Sequence, residues 1–305
     1  MRGALLGLVL AACQRSAPPA PKPADHEAPV AAPVDAAARS CERAAFAESS
    51  PVPEASGAAW LTIDGKLALV VIGDSGNDGA YAIVDPETGD TREQGKLPLA
   101  GKDDDLEGAA AQGGRLVAIT SPGWIRVWER SANGFTLVDG PYALGPIDED
   151  RGNGNSPPPG DGMVCAQART NCGRNYEGLC LAPSPSGACV GFAASKADGH
   201  LYCLTEKDHR LAVDRTKAIV ITKPGALADC AFSDDGTLLA GSNLFDTSHV
   251  YRVEGWHDPA SARVVSLGTL GIGFPETIAA RGDVIYRMSD TGGAPSLMVK
   301  YRCPR

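Results

Sequence analysis

From residue 54 onward, short apolar runs alternate with polar, glycine-rich breaks, and the same order recurs five times. Each unit opens on an acid (Glu54, Glu107, Glu177, Asp229 or Glu276), followed by a short apolar stretch and a turn signal. The turns are Asp64-Gly65, Gly113-Gly114, Ser186-Gly187, Asp235-Gly236 and Arg281-Gly282, pairs containing the glycine that a tight hairpin favours. A second apolar run follows each turn: LALVVIG, RLVAITS, ACVGFAA, TLLAGSN and DVIYRMS. After a polar loop comes a third: AYAIVD, IRVWER, LYCLTE, VYRVEG and LMVKYR. Four of the five units add a fourth run, such as Phe135 to Val138 or Arg263 to Ser266. Runs this short, bounded by turn residues, predict strands rather than helices. Four antiparallel strands recurring at roughly 47 to 70 residues predict an all-β β-propeller of four-stranded blades, five by this count.

The fifth unit ends after its third run, at Tyr301 to Cys303. Its missing outer strand is expected from residues just after Cys41, so that an N-terminal strand closes the last blade and removes the open edges. The longest spacing, from Glu107 to Glu177, holds an insertion at residues 145–174 with too little β pattern for a blade of its own. It reads as a long loop tied in part by Cys165 and Cys172; a sixth blade hidden there is the alternative count. Loops of this length in a compact domain are usually functional or disordered.

In a propeller the first strand of each blade lines the central channel, and the loops leading into those strands share one rim with the loops joining second to third strands. The five acids are therefore expected to converge on one mouth of the channel. Asp74, Asn77, Ser121, Lys196, Asn243 and Asp290 are expected on the same rim, overhung by the insertion. Clustered carboxylates repel one another and must protonate, pair or bind a cation. Ca²⁺ takes oxygen donors of this kind, and Glu107, Glu177 and Glu276 are the metal candidates. The competing reading is structural: each acid accepts backbone N–H bonds where its strand begins.

Composition fixes the setting more than the chemistry. A net charge of −9 with no basic stripe argues against nucleic acid as a partner. The chain starts with Arg2 and an apolar run from Ala4 to Ala12, too short to span a bilayer but suited to a signal peptide over residues 1–12. The run ends Leu10-Ala11-Ala12-Cys13, which resembles the lipobox of bacterial lipoproteins. That resemblance implies cleavage before Cys13 and its acylation, and two or more acyl chains anchor stably where one does not. Gln14 in place of aspartate points to the outer membrane, facing the periplasm or the surface. Residues 13–40, rich in alanine and proline, read as a lipidated linker, and residues 41–305 as the propeller domain.

Removing Cys13 leaves eight cysteines, an even set that suggests disulfides in an exported chain. No C-x-x-C occurs and no cysteine pair has a histidine pair at ligand spacing, so zinc is disfavoured. Cys41 and Cys303 stand at the two ends of the ring and are expected to staple its closure. Cys180 and Cys189 flank a two-residue turn at Ser184-Pro185 and are expected to pair across a hairpin. Trp124, Trp128 and Trp256 offer faces for stacking a sugar or for packing between blades. No G-x-S-x-G elbow, Walker loop or H-E-x-x-H occurs.

The segments starting at Glu54, Asp74-Ser75-Gly76-Asn77, Asp105-Leu106-Glu107-Gly108 and Asn175-Tyr176-Glu177-Gly178-Leu179, with the later Gly191-Phe192, resemble the SdiA-regulated and esterase-like phytase propeller families over most of residues 54–303. Some members of that wider group are calcium-dependent phosphoesterases or lactonases, so the resemblance implies hydrolysis as one activity. The chain departs from them in showing five units where six blades are common, and in lacking a channel histidine. The expected function is a membrane-anchored, extracytoplasmic propeller whose channel mouth binds a ligand, a cation or a protein of the cell envelope, rather than an enzyme. The alternative is a calcium-dependent phosphoesterase or esterase with the five acids as ligands.

Overall fold

The computed structural model describes residues 41–101, 104–148, 162–166, 171–185, 187–243 and 248–303. The signal peptide, Cys13, the linker before Cys41, Ser186 and much of the insertion lie outside the described residues. Among those described there is no helix long and apolar enough to cross a membrane.

Two short strands, β1 (Glu42–Ala44) and β2 (Ser49–Pro53), precede the first complete blade, which consists of β3 (Ala55–Ile63), β4 (Lys66–Gly73), β5 (Ala80–Val84) and β6 (Thr91–Lys96). The second is β7 (Leu106–Gln112), β8 (Arg115–Thr120), β9 (Trp124–Ser131) and β10 (Gly134–Ala143). A small parallel pair, β11 (Ile147–Asp148) and β12 (Val164–Cys165), belongs to the insertion. The third blade is β13 (Tyr176–Leu181), β14 (Gly191–Ser195), β15 (His200–Lys207) and β16 (Arg210–Val220). The fourth is β17 (Leu227–Phe232), β18 (Leu238–Ser242), β19 (His249–Glu254) and β20 (Arg263–Thr269). The fifth is β21 (Phe274–Arg281), β22 (Val284–Asp290) and β23 (Pro295–Arg302), with β1 and β2 both paired to β23. Five four-stranded antiparallel blades thus form the propeller, and the chain's first strands close the last blade as its missing outer edge.

The middle strands are rich in apolar residues because both faces of each blade are covered, so successive side chains along the period-two pleat pack against one neighbouring blade or the other. In β4, Leu69 and Val71 pack toward the fifth blade while Ala68, Val70 and Ile72 pack toward the second. Each of the five blade junctions has its own apolar cluster. The core is therefore a ring of five wedges rather than one central mass, which leaves the axis to the inner strands β3, β7, β13, β17 and β21.

Four disulfides are present, the mark of an oxidising, extracytoplasmic setting. Cys41–Cys303 closes the ring and Cys165–Cys172 ties the insertion, both as expected. The expected Cys180–Cys189 bridge does not form. Cys180 bonds Cys230, joining the inner strands of the third and fourth blades, and Cys189 bonds Cys203. Pairing is set by which residues meet in space: Cys180 faces the next blade, while Cys189 lies just before β14 and meets β15. The buried tryptophans serve packing, since Trp128 donates Nε1–H to Pro98 O at 2.9 Å and Trp256 donates to Gly236 O at 3.0 Å.

Candidate cation site at the channel mouth

All five inner strands carry a register shift at their start. The residue left out of the ladder is Ser56 in β3, Glu107 in β7, Glu177 in β13, Ala228 in β17 and Glu276 in β21. A bulge frees one residue from strand pairing and re-aims its side chain. Three of the five bulge residues are glutamates, and these are the metal candidates of the sequence. Glu54 and Asp229, aligned with them by sequence, take different places: Glu54 stands two residues ahead of its bulge residue and Asp229 one after.

That offset gives Asp229 another task. Its carboxylate accepts the N–H of Cys230 at 2.7 Å and the N–H of Ile278 in β21 at 2.8 Å, tying the fourth blade to the fifth. Burial raises its pKa well above the ordinary aspartate range against the pull of these bonds. Residues at the matching place in the other blades also serve the junctions. Thr277 Oγ1 donates to Ala55 O at 2.7 Å, while Gly57, Gly108 and Gly178 let neighbouring inner strands approach so closely that no Cβ would fit. Glu54 accepts Asn77 Nδ2–H at 2.9 Å, and Asn77 also donates to the carbonyls of Asp74 and Ser75, shaping the β4–β5 turn.

The mouth divides into two halves. In one, Lys196 Nζ donates to Glu177 Oε2 at 2.8 Å and lies 3.8 Å from Glu276 Oε1, which also accepts Asn243 Nδ2–H at 3.1 Å. In the other, carboxylate oxygens of Asp74, Asp105 and Glu107 lie within 4.8 Å of one another. Asp74 is partly open to solvent, whereas Asp105 and Glu107 are buried. Ser121 Oγ donates to Asp105 Oδ2 and accepts the N–H of Asn171 at 2.9 Å, linking the insertion to the acid cluster. Asp290 caps its own turn by accepting Gly292 N–H at 2.7 Å, and its charge reaches Glu276.

Burial controls the electrostatics. It pushes Asp74 up to about 8, aided by the charge of Asp105. It raises Glu107 well above the glutamate range, with Asp74 and Glu177 adding repulsion. Glu276 is pushed up to about 8 by burial and then by Glu177, and Glu177 to about 7 because burial outweighs the attraction of Lys196. Burial also opposes the lysine's charge, but Glu177 and Glu276 more than offset it and its pKa is raised. The carboxylates of Asp74, Asp105, Glu107, Glu177 and Glu276 therefore share the mouth with the ammonium of Lys196. Glu177 Oε1, fully buried, has no hydrogen-bond partner among the described residues. The donor set is oxygen alone, the kind that suits a hard divalent cation.

Asp105 is the member of this cluster absent from the sequence-derived acids. The acidic run Asp103-Asp104-Asp105, separated from Glu107 by Leu106 alone, was the available signal, but a charge run more often marks a solvated loop.

No family model and no curated protein matches the chain. Similar solved structures include a glutaminyl cyclase of Myxococcus xanthus, at 14% identity over 87% of this chain and 97% of that one, with a TM-score of 0.47. Another is a luciferin-regenerating enzyme, at 11% identity over 86% of this chain and 94% of that one, with a TM-score of 0.47. Neither likeness bears on the chemistry of the mouth.

Proposed function

We propose that the chain is a lipid-anchored, extracytoplasmic propeller whose channel mouth binds a divalent cation at Asp74, Asp105 and Glu107, with Ca²⁺ the ion its oxygen donors suit. The observation that carries this reading is the division of the mouth. In the half holding Glu177 and Glu276 a cation is already present, Lys196, which pairs with Glu177 at 2.8 Å and stands 3.8 Å from Glu276. The three carboxylates of the other half lie within 4.8 Å of one another, so a bound cation would relieve their mutual repulsion. The metal set inferred from sequence is accordingly revised: Glu107 stays, and Asp74 and Asp105 replace Glu177 and Glu276. A cation held there would polarise an anionic oxygen brought to the partly open side at Asp74. Through it the module would engage a small ligand or a protein of the envelope.

A calcium-dependent phosphoesterase is the second reading. It is favoured by the same open side at Asp74 and by the motif resemblance to propeller hydrolases.

The full chain is expected to melt at a higher temperature in Ca²⁺ than in chelator, and Glu107→Gln is expected to remove that difference. A melting temperature indifferent to Ca²⁺ and to chelator would defeat the cation reading. Phosphomonoester cleavage that is abolished by chelator and by Glu107→Gln would select the hydrolase over the pure binding module. Intact mass of the membrane-extracted protein should show an N-terminal acylated Cys13, and Cys13→Ala should release the chain from membranes. An unmodified Cys13 would refute the anchor.

A further inference from the structure

Asp105 stands in a cluster of like charges and is repelled by Asp74 and Glu107. A carboxylate in such company keeps its place only where donors hold it. Ser121, fully buried in the loop between β8 and β9, supplies two of them. Its N–H donates to Asp105 O at 3.2 Å, and its hydroxyl donates to Asp105 Oδ2. A hydroxyl has one proton to give and turns to suit its neighbours. Here the N–H of Asn171 occupies a lone pair of Ser121 Oγ at 2.9 Å, which directs that proton to Asp105. The carbonyl of Ser121 in turn accepts the N–H of Tyr176 at 3.0 Å, at the start of the strand that carries Glu177. One serine thus joins Asp105, the insertion and the third blade.

Asn171 reaches Ser121 through a covalent constraint. It adopts the left-handed backbone conformation, with φ of 55°, which asparagine tolerates better than most residues. The next residue, Cys172, is bonded to Cys165, seven positions earlier. Cys165 is itself fastened beside Ser121, since its N–H donates to Pro122 O at 2.9 Å and its O accepts Trp124 Nε1–H at 3.2 Å. The bridge therefore sets Asn171 against the residue it holds. Apart from the three clustered acids, the buried Oε1 of Glu177 has no hydrogen-bond partner among the described residues, and the charge of Glu177 reaches Glu107. A hydrated cation at the cluster would offer that oxygen a water proton to accept. We propose, resting on the cation site above, that Ser121 is its positioning residue: it sets Asp105 toward the ion, and the disulfide-tied turn of the insertion holds it to that task.

The test titrates the full chain with Ca²⁺ by calorimetry. Ser121→Ala is expected to weaken binding by about tenfold or more, the usual cost of removing a group that orients a metal ligand. Cys165→Ser combined with Cys172→Ser is expected to repeat that loss. Luminescence lifetimes of Eu³⁺ in H₂O and D₂O count the waters on the bound ion. Ser121→Ala should add about one water, as Asp105→Asn does, because solvent replaces a carboxylate that swings off the ion. A role in stability alone would leave the count unchanged. Should Ser121→Ala fail to fold, the cysteine variant carries the same two measurements from within the insertion. A parent chain that binds no Ca²⁺ would remove the cation site and this role with it. Parental Ca²⁺ affinity in folded Ser121→Ala, or in the folded cysteine variant, would overturn the positioning role and leave the cation site standing. Weaker binding with no added water would overturn it equally.

Discussion

A methyl group added at Gly108 would fall against Leu179 N and the backbone of Gly178. The obstruction is another strand, which cannot swing aside as a side chain would. Gly108→Ala is expected to cost about 3 kcal/mol, read as a lowered urea midpoint, by analogy with overpacked cores. Asp229→Ala should act differently, stranding the buried N–H of Ile278 for a loss of about 1 to 3 kcal/mol. If the structural role assigned to Asp229 is right, the variant keeps its melting response to Ca²⁺. A parallel loss of that response would return Asp229 to the binding site. The sequence shows that acids open the units but not which of them share a place. One residue of bulge separates Asp229 from Glu276 in role, and a single chain carries no visible mark of a bulge.

Among the elements, strand order and blade count were legible because each blade repeats the same pattern of apolar runs and glycine turns. The closing strand was legible from a deficit, since the fifth unit lacks its outer run and residues after Cys41 supply one. The structure adds that this edge is built twice, with Glu42 opposite Arg302 and Ser49 opposite Leu297. The disulfide partners of Cys180 and Cys189 were not legible, because contacts between blades have no counterpart in sequence spacing. Replacing Cys41 and Cys303 by serine frees a loop of 262 residues, for which the chain-entropy account gives a cost of about 5.5 kcal/mol. The expected outcome is a lower melting temperature, with hydrogen exchange accelerated first in β1 and β23. Unchanged exchange in those strands would show that their hydrogen bonds alone hold the closure.

For the molecule as a whole, the acidic mouth should make stability depend on pH in an unusual direction. Asp74 moves from 3.8 to about 8, Glu276 from 4.5 to about 8 and Glu177 from 4.5 to about 7. Above pH 4.5 the folded chain keeps protons that the unfolded chain has released, so these groups favour the folded state at low pH. Their contribution is complete below the unfolded pKa values and is lost as pH rises through 7 to 8. Acids held low by partners, such as Asp214 at about 2, have finished titrating before this window and do not mask it. Calorimetry in chelator should find the melting temperature falling between about pH 5 and pH 8, with Ca²⁺ restoring it at the upper end. A flat or rising profile would contradict the burial of the cluster. The clasp between Cys41 and Cys303 also decides how the propeller bears tension. A pull applied at these two residues crosses the covalent bond directly and leaves every blade unloaded, so the ring can be stretched from its ends only after that bond is reduced.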